Sequence, residues 1–530
     1  MSILKRASMY WNFAKGLKGY LRDSVTISRC REIIAKRLQS REDNFLNTAR
    51  LAIYGNEASP YRALLMAAGC EYGDMEKLVR SEGVDNALQN LVGKGVYVTA
   101  EEFKGRQEAR RGSQRFDFKE TDFDNPLQNG LLEAETGASR GRGTRTIYDL
   151  DYLAEKWAVH QALRMDAYDA LGMPVGMWMP IMPGAGPVAL LAYAKAGIIP
   201  EKWFSPVAES DFGPALRNRL GTLYIVHAAR LFGTKVPRPE HVALTDAVKV
   251  ARWMRNMIVE RGGCYMATYV SAAARIAVAA RGEGLDLSGA LFSVSSEPFT
   301  ETKKMEIEAS GARVFPMYAF MEAGIVGLGC GCPSYVDDYH LLSECTALCQ
   351  HRRETEHADA PVDAFLWSSL LVTSPKVLLN VETGDYGVIE ERTCGCRLEE
   401  MGFRTHVSRV RSFEKLTGEG MSFSGVDVIM IIENVLPSEF GGRSTDYQLV
   451  EEEDEKGRTR LTVIAAPSLG DLNESRIKET VIRELRKGSD ARRMMAEIWA
   501  QGGSLRVKRA IPTSTPRGKQ LPLHIVKHDR

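Results

Sequence analysis

The sequence predicts an α/β protein: a large N-terminal domain of layered α/β sheets followed by a small, mobile C-terminal α+β domain. Three observations predict it. Between Gly172 and Tyr318 short apolar runs alternate with stretches of helical period, as in strands buried on both faces between helices. The stretch GARVFPMYAFMEAG at 311–324 is an apolar strand that ends on Glu and Ala-Gly, which is how a buried strand delivers side chains to a site. After about residue 411 the texture changes. Two strand-like runs, DYQLV and RLTVIAAP, flank the charged EEEDEKGRTR in hairpin fashion, and a helix (SRIKETVIRELRKGS) and a basic tail follow. The domains are therefore read as 1–410 and 411–530, hinged near Arg411 to Lys415, with a helical N-terminal lobe over about 1–130.

The whole-chain numbers exclude several function classes. A chain of 530 residues with 44% hydrophobic content buries a large core. A net charge of +1 from 69 basic and 68 acidic residues argues against electrostatic binding to nucleic acid or to an anionic membrane. No export signal is legible at the N-terminus, and no apolar run reaches the roughly 18 residues of a membrane span. MSILKRASMYWNFAKGLKGY reads instead as an amphipathic helix with Trp11, Phe13 and Leu17 near one face. Nine cysteines without a leader point to a reducing cytoplasm.

Along the chain, residues 1–110 carry helical periodicity, and the mixed charges between Lys104 and Asp124 read as a solvated surface segment. LLEAETGASRGRGTRTIYDLDYLAEKWAVHQAL then has the order apolar turn, small-residue loop, long helix. Thr136, Gly137, Ser139, Gly141, Gly143 and Thr144 let backbone N–H groups approach an anion, and Arg140, Arg142 and Arg145 add charge. The competing reading is a flexible Gly/Arg surface loop, and the pattern is not a Walker-type P-loop. Trp178, Met179, Tyr265, Tyr269 and Met321 are candidates for an apolar pocket, with ordinary core packing as the alternative. SVSSEPFTETKKMEIEASGARVF reads as a strand, a turn at Ser296-Glu297-Pro298, a helix from Thr300 or Thr302 and a second strand ending at Tyr318. Tyr318 offers a face for a purine, and Glu322 offers a carboxylate for Mg²⁺ beside a phosphate. In LLNVETGDYGVIE, Thr383-Gly384-Asp385 reads as a turn at a strand end that presents one carboxylate.

Taken in order, these stretches resemble the adenylate-forming superfamily of acyl-CoA ligases, adenylation domains and luciferases, and within it the phenylacetate–CoA ligase-like branch. The resemblance covers the chain from about SPYR at 59–62 to the tail. It implies that Thr136 to Thr144 is the phosphate loop and that Ser296-Glu297-Pro298 contacts adenine. It also implies that Tyr318 lies against the adenine, Glu322 faces Mg²⁺ and Asp385 holds the ribose hydroxyls. Arg411 is similar to the family's hinge arginine, and PTSTPRGKQLPL resembles the ending that places Lys519 in the active site. The implied reaction is ATP-dependent activation of a carboxylic acid to an acyl-adenylate, then transfer to a thiol, most often CoA. Carrier-protein or amine acceptors, and a nucleotide-binding scaffold without chemistry, are the alternatives. Because the chain ends just after Lys519, a carrier protein is expected to be a separate partner; the oligomeric state is not legible, and a dimer is compatible. The phosphate loop departs from the family's Ser/Thr-Gly-Thr-Thr-Gly run, and Phe413 stands where an aspartate is common. Two C-x-C pairs, Cys330/Cys332 and Cys394/Cys396, follow loops that the family brings together. Four thiolates there suit a structural Zn²⁺, with free thiols as the alternative and Cys345, Cys349 and His340 as competing ligands.

Overall fold

A computed structural model describes residues 13, 15–128, 132–135, 145–208, 216–354, 361–412, 415–418, 421–424, 430–454, 458–487, 490–513 and 523–525. Its centre is a single sheet of twelve strands. In chain order these are β1 (Val175–Trp178), β2 (Lys202–Ser205), β3 (Pro239–His241), β4 (Cys264–Tyr269), β5 (Ala290–Ser295), β6 (Arg313–Phe320), β7 (Gly324–Gly329), β8 (Tyr339–Leu341), β9 (Thr346–Arg353), β10 (Val362–Ser369), β11 (Val381–Glu391) and β12 (Thr405–Ser412). Their spatial order is β9-β10-β11-β12-β8-β7-β6-β5-β4-β1-β2-β3. The half from β3 to β6 is parallel and the half from β6 to β9 antiparallel, so β6 is the seam.

The sequence explains this division. β4 and β5 are buried along their whole length, as strands covered by helices on both faces must be. The helices Gly186–Lys195, Ala247–Arg261 and Val270–Gly282 are the crossovers. Thr300 caps the Glu301–Glu308 helix by accepting from the Lys303 amide, which starts it at the first of the two expected positions. In the antiparallel half the N-terminal helices supply the cover, Leu88 and Leu91 packing in one cluster with Phe365, Trp367 and Leu379. Phe13 and Leu17 are buried, whereas Trp11 lies outside the described residues.

Two local expectations are corrected. The segment after Lys104 is not merely a solvated face: it forms a hairpin, Ala109–Arg111 with Gln114–Phe116, and buries Phe118 and Phe123. Its phenylalanines, spaced among charges, meet Phe103 and Tyr61. Thr383-Gly384-Asp385 does not end a strand either. It lies inside β11, where Gly384 at φ 84° and register shifts against both neighbours make an irregularity rather than a turn.

The C-terminal region carries a separate sheet, β13 (Tyr447–Glu453), β14 (Thr459–Ala465), β15 (Leu505–Arg509) and β16 (Leu523–Ile525), in the order β15-β14-β13-β16. The expected hairpin is β13 with β14. The helices Glu474–Leu485 and Asp490–Gly502 cover it through Val481, Leu485 and Trp499, and this core is continuous with the one beneath the parallel half.

Candidate active site and a cysteine–histidine cluster

Residues Trp178, Thr268, Val294 and Pro316 form one row across β1, β4, β5 and β6 at the carboxyl edge of the parallel half. Open α/β sheets bind ligands beyond that edge. Tyr318 stands just past it on the seam strand. Its hydroxyl donates to Asp385 Oδ2 at 2.9 Å, and the Trp367 and Tyr339 rings flank it at 5.6 and 5.8 Å. Burial and then the neighbouring Asp385 charge hold the Tyr318 phenol well above its ordinary value, so it remains a donor. Asp385 pairs in register with Ser412 and Tyr386 with Arg411, which sets Asp385 and Arg411 close together on the neighbouring strands β11 and β12, and Tyr318 reaches Asp385 from β6. Arg411 Nη1 meets Asp337 Oδ2 at 2.8 Å. The same carboxylate accepts the Arg409 and Val410 amides at 3.0 Å each, clamping a backbone that is left-handed at Arg409 (φ 53°). Asp337 was not foreseen, because nothing in PSYVDDYH distinguishes it from a solvated turn.

Glu322 sits in the tight turn between β6 and β7. Tyr148 Oη donates to the Met321 carbonyl at 2.6 Å and Tyr152 Oη to the Ala323 carbonyl at 2.6 Å, so two tyrosines hold that turn. Glu322 makes no hydrogen bond or ion pair among the described residues. Its charge is felt nearby, adding to burial in pushing the Tyr148 phenol up. A half-exposed, uncommitted carboxylate is the donor a hard cation takes. Tyr148 ends the strand Arg145–Tyr148, which pairs with Leu132–Glu135. The expected loop between them, with Thr136, Gly137, Ser139, Gly141 and Thr144, lies outside the described residues, as do Phe413 and Lys519.

Ser296 adopts φ 71°, turning the chain sharply after β5. Glu297 does not face solvent: its Oε1 accepts from Ser271 Oγ at 2.6 Å and its Oε2 lies 3.8 Å from Lys303 Nζ. Lys303 also donates to the Pro298 carbonyl at 3.1 Å and to Thr459 Oγ1 of β14 at 3.2 Å. Thr300 Oγ1 reaches Glu453 of β13 at 2.7 Å. The Ser296–Pro298 turn is thus tied to the C-terminal sheet. Of the pocket candidates, Trp178, Met179, Tyr265 and Tyr269 are buried in the parallel core, with Trp178 Nε1 on the Val242 carbonyl, and Met321 is half-buried.

On the antiparallel side, Cys330, His340, Cys394 and Cys396 present donor atoms that all lie within 4.8 Å of one another. His340, a strand residue of β8, takes the fourth place that the C-x-C pattern suggested for Cys332, which is exposed and outside the group. His340 Nδ1 donates to the Phe403 carbonyl at 2.9 Å, which leaves the Nε2 lone pair aimed at Cys394 Sγ (3.5 Å) and Cys396 Sγ (3.1 Å). Around a tetrahedral zinc, neighbouring N and S ligands stand about 3.5 Å apart. The donor set therefore fits Zn²⁺. The hydrogen bond between the two sulfurs raises the Cys330 thiol and lowers Cys396, so Cys396 is the one favoured as thiolate. Outside the four, His406 Nδ1 meets Asp338 Oδ1 at 2.7 Å, and Arg392 joins the same carboxylate.

No protein-family model matches the chain, and no curated protein matches it in sequence. Among solved structures, it is similar to 2-hydroxyisobutyryl-CoA ligase in complex with 2-HIB-AMP and CoA in the thioesterification state. The TM-score is 0.58 at 14% identity, over 93% of this chain and 90% of that one. An amide bond synthetase from Marinactinospora thermotolerans gives a TM-score of 0.39 at 11% identity, over 91% and 92%. The first likeness, over almost the full length of both chains, shows that this chain shares the fold of that ligase. Among the described residues no helix is long and apolar enough to cross a membrane.

Proposed function

We propose that this chain is an AMP-forming acid–thiol ligase of the adenylate-forming superfamily, in its phenylacetate–CoA ligase-like branch. The observation that carries the reading is the Tyr318–Asp385 hydrogen bond, with Arg411 on the strand beside Asp385 and Glu322 on the turn that follows β6. On this reading the Tyr318 ring and the Ser296–Pro298 turn border the adenine, Asp385 receives the ribose hydroxyls, and Arg411, oriented by Asp337, contacts ribose or phosphate. Glu322 would hold Mg²⁺, which when bound offsets charge between the phosphates and the incoming carboxylate. The 136–144 loop cradles the polyphosphate. Lys519 places one ammonium against the α-phosphate as the acid's carboxylate attacks it and pyrophosphate leaves. The domain 411–530 then rotates about Arg411 to Lys415, withdrawing Lys519 and admitting the thiol. Zn²⁺ on Cys330, His340, Cys394 and Cys396 would be structural, with no open position. A cytoplasmic site of action suits free thiols at the remaining cysteines.

CoA is the proposed acceptor. Incubating the protein with ATP, Mg²⁺, a panel of acids and CoA should yield AMP, pyrophosphate and an acyl-CoA thioester in equal amounts. AMP and pyrophosphate that form equally well without CoA, and a product that appears only with an amine or an acyl-carrier protein, would assign the acceptor elsewhere.

A further inference from the structure

Glu322 makes no hydrogen bond or ion pair among the described residues, so its place is set by the turn that carries it. That turn is weakly closed from within. Residues 321–323 join β6 to β7, where Phe320 pairs with Gly324, and the Ala323 amide reaches the Phe320 carbonyl only at 3.3 Å. The strand register slips just before it, between Tyr318 and Ala319, so the ladder does not dictate the turn's course either.

The short bonds come from outside. Tyr148 Oη donates to the Met321 carbonyl and Tyr152 Oη to the Ala323 carbonyl, both at 2.6 Å, and these belong to the residues immediately before and after Glu322. Both tyrosines are buried, and their rings lie parallel, 5.7 Å apart at 1°. Burial pushes both phenols up, so they stay protonated donors. Tyr148 is the last residue of the strand Arg145–Tyr148, and Asp149 caps the following turn of helix by accepting from the Tyr152 amide at 2.7 Å, which sets the two rings side by side. Gly324 completes the fit. It is left-handed at φ 72°, and a Cβ there would stand 2.6 Å from Tyr152 Oη, so glycine is what lets the phenol reach the Ala323 carbonyl.

Buried tyrosines elsewhere hold one carbonyl each, Tyr168 that of Gly329 and Tyr447 that of Gly441, both at 2.8 Å. Here two act on a three-residue turn whose central side chain is an uncommitted carboxylate. A carboxylate on a loose turn must be immobilised when it takes a cation, and a turn held in advance removes that entropy cost. Resting on the reading that Glu322 takes the Mg²⁺ of Mg–ATP, we propose that Tyr148 and Tyr152 are positioning residues that pre-set the Glu322 turn and so determine how tightly the metal–nucleotide is held.

Calorimetric titration with ATP, once with Mg²⁺ and once with EDTA and in both cases without an acid, reads the metal's share of binding apart from turnover. Mg²⁺ should tighten ATP binding to the wild type, and in Glu322→Gln that gain should vanish. In Tyr148→Phe and in Tyr152→Phe, which keep the stacked rings and lose one donor each, the gain should shrink roughly five- to tenfold while ATP binding in EDTA stays as in wild type. In ATP–pyrophosphate exchange the same two variants should need more Mg²⁺ for half-maximal rate and regain most of the wild-type rate at saturating Mg²⁺. Tyr447→Phe, which removes a comparable bond in the C-terminal sheet, controls for lost stability and should leave the gain unchanged. No tightening by Mg²⁺ in the wild type would overturn the proposal without any variant. Loss of the gain in Glu322→Gln, with an unchanged gain in both tyrosine variants, would overturn it and keep Glu322 as the metal's carboxylate. A tyrosine-dependent gain with exchange on no acid would keep the proposal and sink the ligase.

Discussion

Asp385 is the residue on which the nucleotide reading turns. It takes a hydrogen bond from Tyr318 through Oδ2, with Thr383 Oγ1 3.5 Å from the same oxygen. On the proposed reading Oδ1 is the oxygen left for a ribose hydroxyl. Asp385→Asn keeps the shape and removes the charge, so the KM for ATP should rise roughly tenfold or more, the worth of a charge-assisted hydrogen bond. Steady-state kinetics at varied ATP check this, and an unchanged KM would move Asp385 to a structural role. Tyr318, Glu322 and Asp385 stand out in the sequence as candidates because each sits at a strand end, a turn or a Gly irregularity, where side chains leave the core. Asp337 and His340 were harder to read for the opposite reason. A loop aspartate gains meaning only from the backbone it caps, and a histidine inside YHL shows no spacing signal until β8 lies beside the Cys394–Cys396 connection.

Among the elements, the connection between β7 and β8 links the two sites. Cys330 opens it and Asp337 near its end clamps Arg411, so a metal bound at one end would bear on Arg411 at the other. Metal analysis of unchelated protein should find about one zinc per chain. His340→Ala and Cys396→Ser should lose it, while Cys332→Ser should retain it. Loss on Cys332→Ser with retention on His340→Ala would restore the all-cysteine site that the two C-x-C pairs suggested. The strand β11 carries a separate pH signature. Glu382 is fully buried beside Arg353; burial pushes its carboxyl up to about 7 despite that opposing charge. A carboxyl raised on folding adds stability that is fully present below about pH 4.5 and is lost as the pH rises through about 7. Glu382→Gln should therefore melt above wild type at pH 8, by a difference on the order of 3 kcal/mol, and match it near pH 4.5. Arg353 keeps Glu101 at 3.0 Å in the variant. Equal melting at pH 8 would mean that the ion pair fully compensates the burial.

For the whole molecule, the change after about residue 411 from alternating elements to a hairpin and two helices is legible in the sequence, and the hairpin forms as β13 with β14, while the apolar core runs on from one region into the other. The sequence did not convey the single twelve-stranded sheet with its seam at β6, since partners distant in sequence, such as β8 and β12, leave no local trace. Nor did it convey how the small domain is seated. Lys303 and Thr300 flank the expected adenine turn and bond Thr459 and Glu453, so rotating the small domain breaks contacts next to that turn. On the proposed reading, rotation of that region and nucleotide contact would be coupled through these four side chains. The central claim is acid activation at the carboxyl edge of the sheet, assisted by Lys519. ATP–pyrophosphate exchange over a broad panel of carboxylic acids, on wild type and Lys519→Ala, tests it most directly. The expected result is exchange that depends on one class of acid and falls by about 10²–10³ in the variant. Measurable ATP binding without exchange for any acid would contradict it, and so would exchange indifferent to Lys519.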